Sequence, residues 1–233
     1  MGATPAQASS ALMAGAVSMG LAGIVLSLWL KIPASVAWST PGAAFLAVSL
    51  PDASGFSGAI GAFIFAGALS VVAGFWRPLA RAAAAIPSAV TMAMLAGVLL
   101  PICFAPIRAL GEVPATALPI LLTWYVVGRF SRLFAVPGAV LTTLALVFYH
   151  NGGGVPMPDH IVTPAMWVMP VLSWPAIVGL GLPLFVITMA TQNIPGISVL
   201  RANGYQPPAG KMFAAVGIFS ILSAPFGAIS TCV

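Results

Sequence analysis

The chain has 233 residues, of which 61% are hydrophobic and only 5% charged, with eight Lys or Arg against three Asp or Glu. A soluble domain carries roughly 25% charge, and a mean hydropathy of +1.10 leaves too few polar side chains to cover a globule in water. A soluble domain is therefore excluded. The apolar runs are too long and too unalternating for a barrel, so an all-α integral membrane protein is expected.

The first span is predicted over residues 9–30, where Gly15, Gly20 and Gly23 make one face small enough for close helix contact in lipid. Residues 34–50 are apolar but short, and Ser39-Thr40-Pro41-Gly42 interrupts them near the start. A third span, 58–76, ends at Arg77-Pro78, and residues 79–86 with Arg81 read as an interfacial connector. Further spans follow over 88–107, with Pro101 and Pro106 near its end, over 115–128 and over 133–149. Residues 150–170 read as a Gly/Pro-rich loop holding His150 and His160, both taken as surface side chains. An apolar run over 175–190 ends in the uncharged trio Thr191, Gln192 and Asn193, with Pro195 and Gly196 expected to break or bend the helix at once. Another span begins over 213–223, and Pro225-Phe226-Gly227 opens one more segment.

The net charge of +5 does not read as a nucleic-acid surface, because the basic residues stand singly among apolar spans and act better as topology markers. If connections alternate sides from Lys31 onward, one side collects Lys31, Arg77, Arg81, Arg129, Arg132, Arg201 and Lys211. The other collects Asp52, Arg108, Glu112 and Asp159. Seven of eight basic residues then share one side and all three acids the other, which makes the basic side cytoplasmic. The separation requires 34–50 to count as a crossing. Cys103 and Cys232 both lie in apolar sequence and suggest neither a disulfide framework nor a metal site, and no cofactor is implied. The stretch before Ala11 has no basic n-region and Lys31 follows the first apolar run, so no cleavable signal peptide is expected.

Short, Pro/Gly-interrupted spans point to the midplane binding site of a transporter. Two are present, at 38–49 and at 224–227. A half-helix opened at such a point offers N–H groups and its positive dipole end to an anion. A carboxylate can then be held although no basic residue lies mid-span. The amides of Gln192 and Asn193 add hydrogen bonding without the cost of a buried charge. The plainer alternatives are that the prolines only kink packing helices and that the polar trio only caps one.

The run TMATQNIPGISVLRANGYQPP over 188–208 closely resembles a segment that marks the benzoate/proton symporter (BenE) family. WSTPGAAFLAVS over 38–49, preceded by LWLKIP over 28–33, AVTMAMLAGVLL over 89–100 and LSAPFG over 222–227 resemble it too, in family order along nearly the whole chain. Family members are longer, so the chain reads as a fragment lacking a first span and those past Val233. The resemblance implies a fold like that of the nucleobase transporters, seven plus seven spans in inverted repeat, with the third and tenth broken into half-helices that frame the substrate. On that mapping residues 1–233 are one polytopic transporter domain, with a first repeat over 1–150, a loop over 150–174 and the start of a second repeat over 175–233.

Ser39, Thr40, Pro41, Gly42 and Ala43 then belong to the third span, and Ala224 through Ala228, with Phe226 and Gly227, to the tenth. Thr191, Gln192 and Asn193 end the eighth. The implied substrate is benzoate or a similar aromatic carboxylate, with its carboxylate near Gly42 or Gly227 and its ring on Phe45 or Phe226, imported with protons across the inner membrane. Membrane lipid is the other implied partner, and a homodimer stays open. No Asp or Glu lies in any predicted span, although nucleobase transporters of this fold place acidic residues in the site. Proton balance is therefore assigned to the substrate carboxylate itself or to a group outside this sequence.

A membrane-embedded enzyme needs a nucleophile with a base, or a cluster of carboxylates and His. Neither a Ser/His/Asp nor an HExxH set is present, and no enzymatic activity is expected. A non-transporting assembly subunit, or a carrier of another small organic anion or a nucleobase, is the alternative.

Overall fold

The computed structural model describes residues 2–49, 55–85, 88–150, 152 and 164–233. Helix α1 (Pro5–Leu30) opens with a reciprocal cap, in which Thr4 Oγ1 accepts from the Gln7 N–H and Gln7 Oε1 accepts from the Thr4 N–H. It ends at Lys31 in the left-handed region, φ 54°. Strand β1 (Ala37–Trp38) and helix α2 (Thr40–Val48) follow. The crossing expected over 34–50 is thus an extended entry followed by a half-length helix.

Helices α3 (Gly55–Phe75), α4 (Arg77–Ala84), α5 (Ser88–Glu112), α6 (Pro114–Phe130) and α7 (Ala135–His150) come next. Helix α8 (Trp174–Ala202) is continuous, and α9 (Ala209–Ser223) runs into a 3₁₀ turn (Ala224–Phe226) and strand β2 (Thr231–Cys232). Among the described residues α1, α3, α8 and the stretch Ala209–Phe226 are long and apolar enough to cross a membrane. A mostly helical chain with four such helices is consistent with the all-α membrane class expected from composition.

Two bodies make up the chain, residues 1–99 with 162–233, and residues 100–161. In the larger, α3 and α9 lie in close contact along a row of glycines. A Cβ on Gly67 would stand 3.1 Å from the Gly217 carbonyl oxygen, one on Gly217 2.7 Å from that of Gly67, and the Gly74 and Gly210 backbones meet in the same way. Small residues at such a seam let backbones approach where lipid supplies no hydrophobic drive. Leu26, Phe63, Leu184, Met189, Met212 and Val216 fill the core around it. Outward, Leu28, Phe75 and Leu222 stand exposed, as lipid-facing side chains do.

In the smaller body α6 and α7 pair antiparallel through Gly138, which faces Val127 and Thr123, and Thr142 Oγ1 donates to Thr123 Oγ1 at 3.1 Å. His150 ends α7, exposed, with its ring edge-on to Tyr149 at 5.9 Å. His160, Asp52 and Asp159 lie outside the described residues.

The Pro195-Gly196 pair argues for a break or bend in α8; the helix is not broken and runs on to Ala202. Two of its three prolines, Pro183 and Pro195, each follow a wider π-helical stretch, Ile177–Gly181 and Met189–Asn193. In each, the N–H just before the proline reaches back five residues: Leu182 N–H to the Ile177 carbonyl, Ile194 N–H to that of Met189. A proline ring clashes with the carbonyl four residues back. The wider turn moves that carbonyl aside, so the chain keeps its helical course at the cost of local regularity.

Candidate functional site

Of the segments singled out in the sequence, the start of 38–49 and the trio at 191–193 meet around the two-stranded ladder, whose second strand lies beyond 224–227. β1 and β2 pair antiparallel, Ala37 opposite Cys232 and Trp38 opposite Thr231, and the Ser39 N–H extends the ladder by donating to the Ser230 carbonyl at 3.0 Å. An extended backbone inside an apolar bundle must satisfy its own N–H and C=O groups. Pairing two such stretches does so without a full-length helix.

Ser39 is completely buried and caps α2, its Oγ accepting from the Gly42 N–H at 3.2 Å and its carbonyl from the Ala43 N–H at 2.7 Å. Thr188 Oγ1 donates to the same Ser39 Oγ at 3.0 Å and so fastens α8 to the start of α2. Pro41 sits in the first turn, where a missing N–H costs nothing. Gly42 is buried, and a Cβ there would stand 2.6 Å from Leu184 Cδ1 and 2.9 Å from Ser39 Oγ. Thr40 is exposed and Ala43 half-buried.

On α8 the π-helical stretch Met189–Asn193 carries the polar trio. Thr191 Oγ1 is spent on the Ile187 carbonyl at 2.7 Å. Asn193, fully buried, accepts the Val233 N–H on Oδ1 at 3.0 Å and places its Nδ2 3.4 Å from Met189 Sδ. Gly196 lies directly against the Val233 carbonyl, so α8 and the end of β2 touch backbone to backbone. Gln192 is half-buried, and the Cys232 thiol points at its Oε1 over 3.7 Å while also reaching the Ala37 carbonyl at 3.4 Å. Among the described residues the Gln192 Nε2 has no hydrogen-bond partner, and it stays accessible. The two neighbouring amides thus divide the work. Asn193 holds the ladder; among the described residues, Gln192 keeps a donor without a partner.

Phe226 and Gly227 face elsewhere. The Phe226 ring stands edge-on to Trp167 at 5.4 Å, and its carbonyl accepts from Ser10 Oγ at 3.2 Å. Gly227 takes φ 91°, and a Cβ there would stand 2.9 Å from Ala11 Cβ. The Val168 N–H donates to the Pro225 carbonyl at 2.8 Å, completing a seam between this turn, α1 and residues 166–168. Phe45 is half-buried and packs on the core.

Sequence reasoning passes over Thr188, Ser220 and Thr231 as individual residues. Ser220 Oγ accepts the Thr231 N–H at 2.9 Å, and Thr231 Oγ1 donates to the Val216 carbonyl at 3.1 Å. Thr188 is within its reach, because it stands four residues before Gln192 on one helical face. Ser220 and Thr231 are not, since only the folded turn at 224–227 brings them together. Among the described residues no cluster of three His, Cys, Asp or Glu could hold a metal ion.

The family described as benzoate membrane transport protein matches residues 1–233. The chain is 34% identical over 231 residues to inner membrane protein YdcO of Escherichia coli, an alignment covering 98% of this chain and 58% of that protein. It is 29% identical over 218 residues to a benzoate membrane transport protein of Acinetobacter baylyi, covering 92% of this chain and 55% of the relative. The chain therefore spans a little over half the length of these curated relatives. No solved structure matches significantly. With a family match over its whole length and helices able to span a bilayer, the chain belongs to the BenE benzoate membrane transport family and is an integral protein of the inner membrane.

Proposed function

We propose that this chain forms the substrate-holding part of a secondary transporter that imports benzoate or a similar aromatic carboxylate together with protons. The observation that carries the reading is the Gln192 Nε2, which has no partner among the described residues and stands beside a ladder whose buried side-chain polar atoms among those residues are all paired. A half-buried donor left over in a membrane interior is costly unless a ligand uses it. An uncharged amide and the first turn of α2 suit a carboxylate that must also leave again. Ser39, Thr40, Pro41, Gly42 and Ala43 supply one wall of this site and Thr191, Gln192 and Asn193 the other. Phe226 and Gly227 shape the turn that delivers β2.

The larger architecture belongs to the same proposal: seven plus seven spans in inverted repeat, with 1–150 and 175–233 drawn from the two repeats and β1–α2 as one broken span. The family name of the Acinetobacter baylyi relative supports benzoate. Inside the described spanning helices no carboxylate is present to titrate, which supports a part for the substrate's own carboxyl group in the proton balance.

Uptake of labelled benzoate into cells at two external pH values tests this. The chain is compared with a version extended by its flanking coding sequence to the length of its relatives. Uptake that rises as external pH falls is the expected result. A version of relative length that reaches the membrane and takes up no benzoate at either pH overturns the substrate assignment.

A further inference from the structure

At the end of the larger body where the sequence places the cytoplasm, a cavity of about 820 Å³ opens between the ends of α3, α4, α8 and α9. Arg81 of α4, Arg201 of α8 and Lys211 of α9 all line it, and among the described residues no acidic side chain does. Three of the eight basic residues of the chain thus line one cavity. Lys211 stands in the first turn of α9, where the helix dipole already places positive charge, and no acid stands there to offset it. Its Nζ lies 5.6 Å from the centre of the Trp29 ring, which adds an aromatic neighbour of the kind found at membrane interfaces. The inner wall is apolar, built by Ile194, Ile197 and Phe213.

We propose that this cavity seats an anionic phospholipid of the inner leaflet, its phosphate between Arg81, Arg201 and Lys211 and the start of an acyl chain on the apolar wall. The combination decides the class of ligand. Cations converging from three helices match phosphate oxygens, as basic pockets between spanning helices on the cytoplasmic side do. A free anion would have no use for the isoleucine and phenylalanine wall. The volume exceeds what one phosphate needs. None of these residues belongs to the Gln192 site, so lipid binding stands or falls apart from transport.

The test uses the full chain purified in detergent and depleted of lipid, then offered phosphatidylglycerol, phosphatidylcholine or inorganic phosphate. Retained lipid is read by native mass spectrometry and stabilisation by the melting temperature. Phosphatidylglycerol should be retained and should raise the melting temperature, while phosphatidylcholine and phosphate should do neither. Arg81→Gln/Arg201→Gln/Lys211→Gln should weaken retention by about fivefold per cation removed, on the scale of basic residues beside a membrane. Arg81→Lys/Arg201→Lys should keep most of it. Equal retention of phosphatidylcholine, or unchanged binding by the triple variant, overturns the proposal, and stabilisation by phosphate alone reassigns the cavity to a soluble anion. If the triple variant does not fold, salt decides with the unmodified chain: retention of phosphatidylglycerol that does not fall as salt rises overturns it equally.

Discussion

Two Pro/Gly elements look alike in the sequence and behave differently in the fold. At Pro41-Gly42 the chain leaves a strand and starts a helix whose first turn is pressed against α8, with Ser39 tied to Thr188 and Gly42 against Leu184. At Pro225-Phe226-Gly227 it leaves a helix through a 3₁₀ turn, and its contacts go to α1 and Trp167 instead. The same residue types therefore start a helix against α8 in one place, at the proposed site, and form a corner in the other. What separates them is the neighbour. α2 opens beside the helix that carries Gln192, whereas the corner packs on a helix whose nearby hydroxyl, Ser10, is already committed.

The comparison is broken most severely at Gly42. Gly42→Val puts branched carbon where Leu184 and the Ser39 hydroxyl already stand, 2.6 and 2.9 Å from where its Cβ would lie. Overpacking of this kind costs about 1–3 kcal/mol, and it falls on the cap that orients α2. Benzoate uptake by a version of relative length should drop by more than about tenfold, a loss of about 1.4 kcal/mol in the bound state. Uptake near the unmodified level would detach α2 from the site. Next comes Gln192→Ala, which deletes the free donor. Losing one hydrogen bond to a charged group costs about 1.5–3 kcal/mol, so the KM for uptake should rise about tenfold or more while the melting temperature barely moves. Asn193→Ala should do the reverse of that split, because it strips the Val233 N–H of its acceptor and costs about 1–3 kcal/mol of stability. If both amides affected stability alike, the division of roles between them would fail.

Much of this is legible in the sequence, and the reasons differ by element. Composition dictates the membrane class, since apolar runs with so little charge have no other home. Ser39-Thr40-Pro41-Gly42 in so short an apolar run argues against a full-length helix, and the structure begins α2 there with Pro41 in its first turn. The ends of α1, α3, α8 and α9 lie near one another: Arg81, Arg201 and Lys211 share a cavity, and Lys211 reaches Trp29 beside Lys31. The continuity of α8 is not legible. Pro195 and Gly196 argue locally for a break, and only the wider turn ahead of them removes the clash. Nor can the sequence separate Gln192 from Asn193, because which amide is consumed depends on where Val233 arrives from forty residues away.

Gly227→Ala should cost stability alone. A non-glycine residue held in the left-handed region costs about 1–2 kcal/mol, and the added methyl meets Ala11. The melting temperature should fall while the KM for benzoate stays put, and a raised KM with an unchanged melting temperature would draw the corner back into the site.

Phe226→Leu sharpens the comparison with the smallest effect. An aromatic ring near a broken span invites the reading that it supports the ring of the substrate. In the fold the edge-on partner of that ring is Trp167 at 5.4 Å, an arrangement worth about 0.5–1.5 kcal/mol beyond buried area. Leucine keeps most of the apolar volume and loses only the aromatic pairing. Melting temperature should therefore drop slightly, Trp167→Leu should produce the same drop, and the two together should cost less than their sum, because one contact is being removed twice. Benzoate KM should stay the same in all three. A KM that rises in Phe226→Leu and not in Trp167→Leu would mean that the ring turns from Trp167 to the substrate during transport, and the corner would then be a second wall of the site.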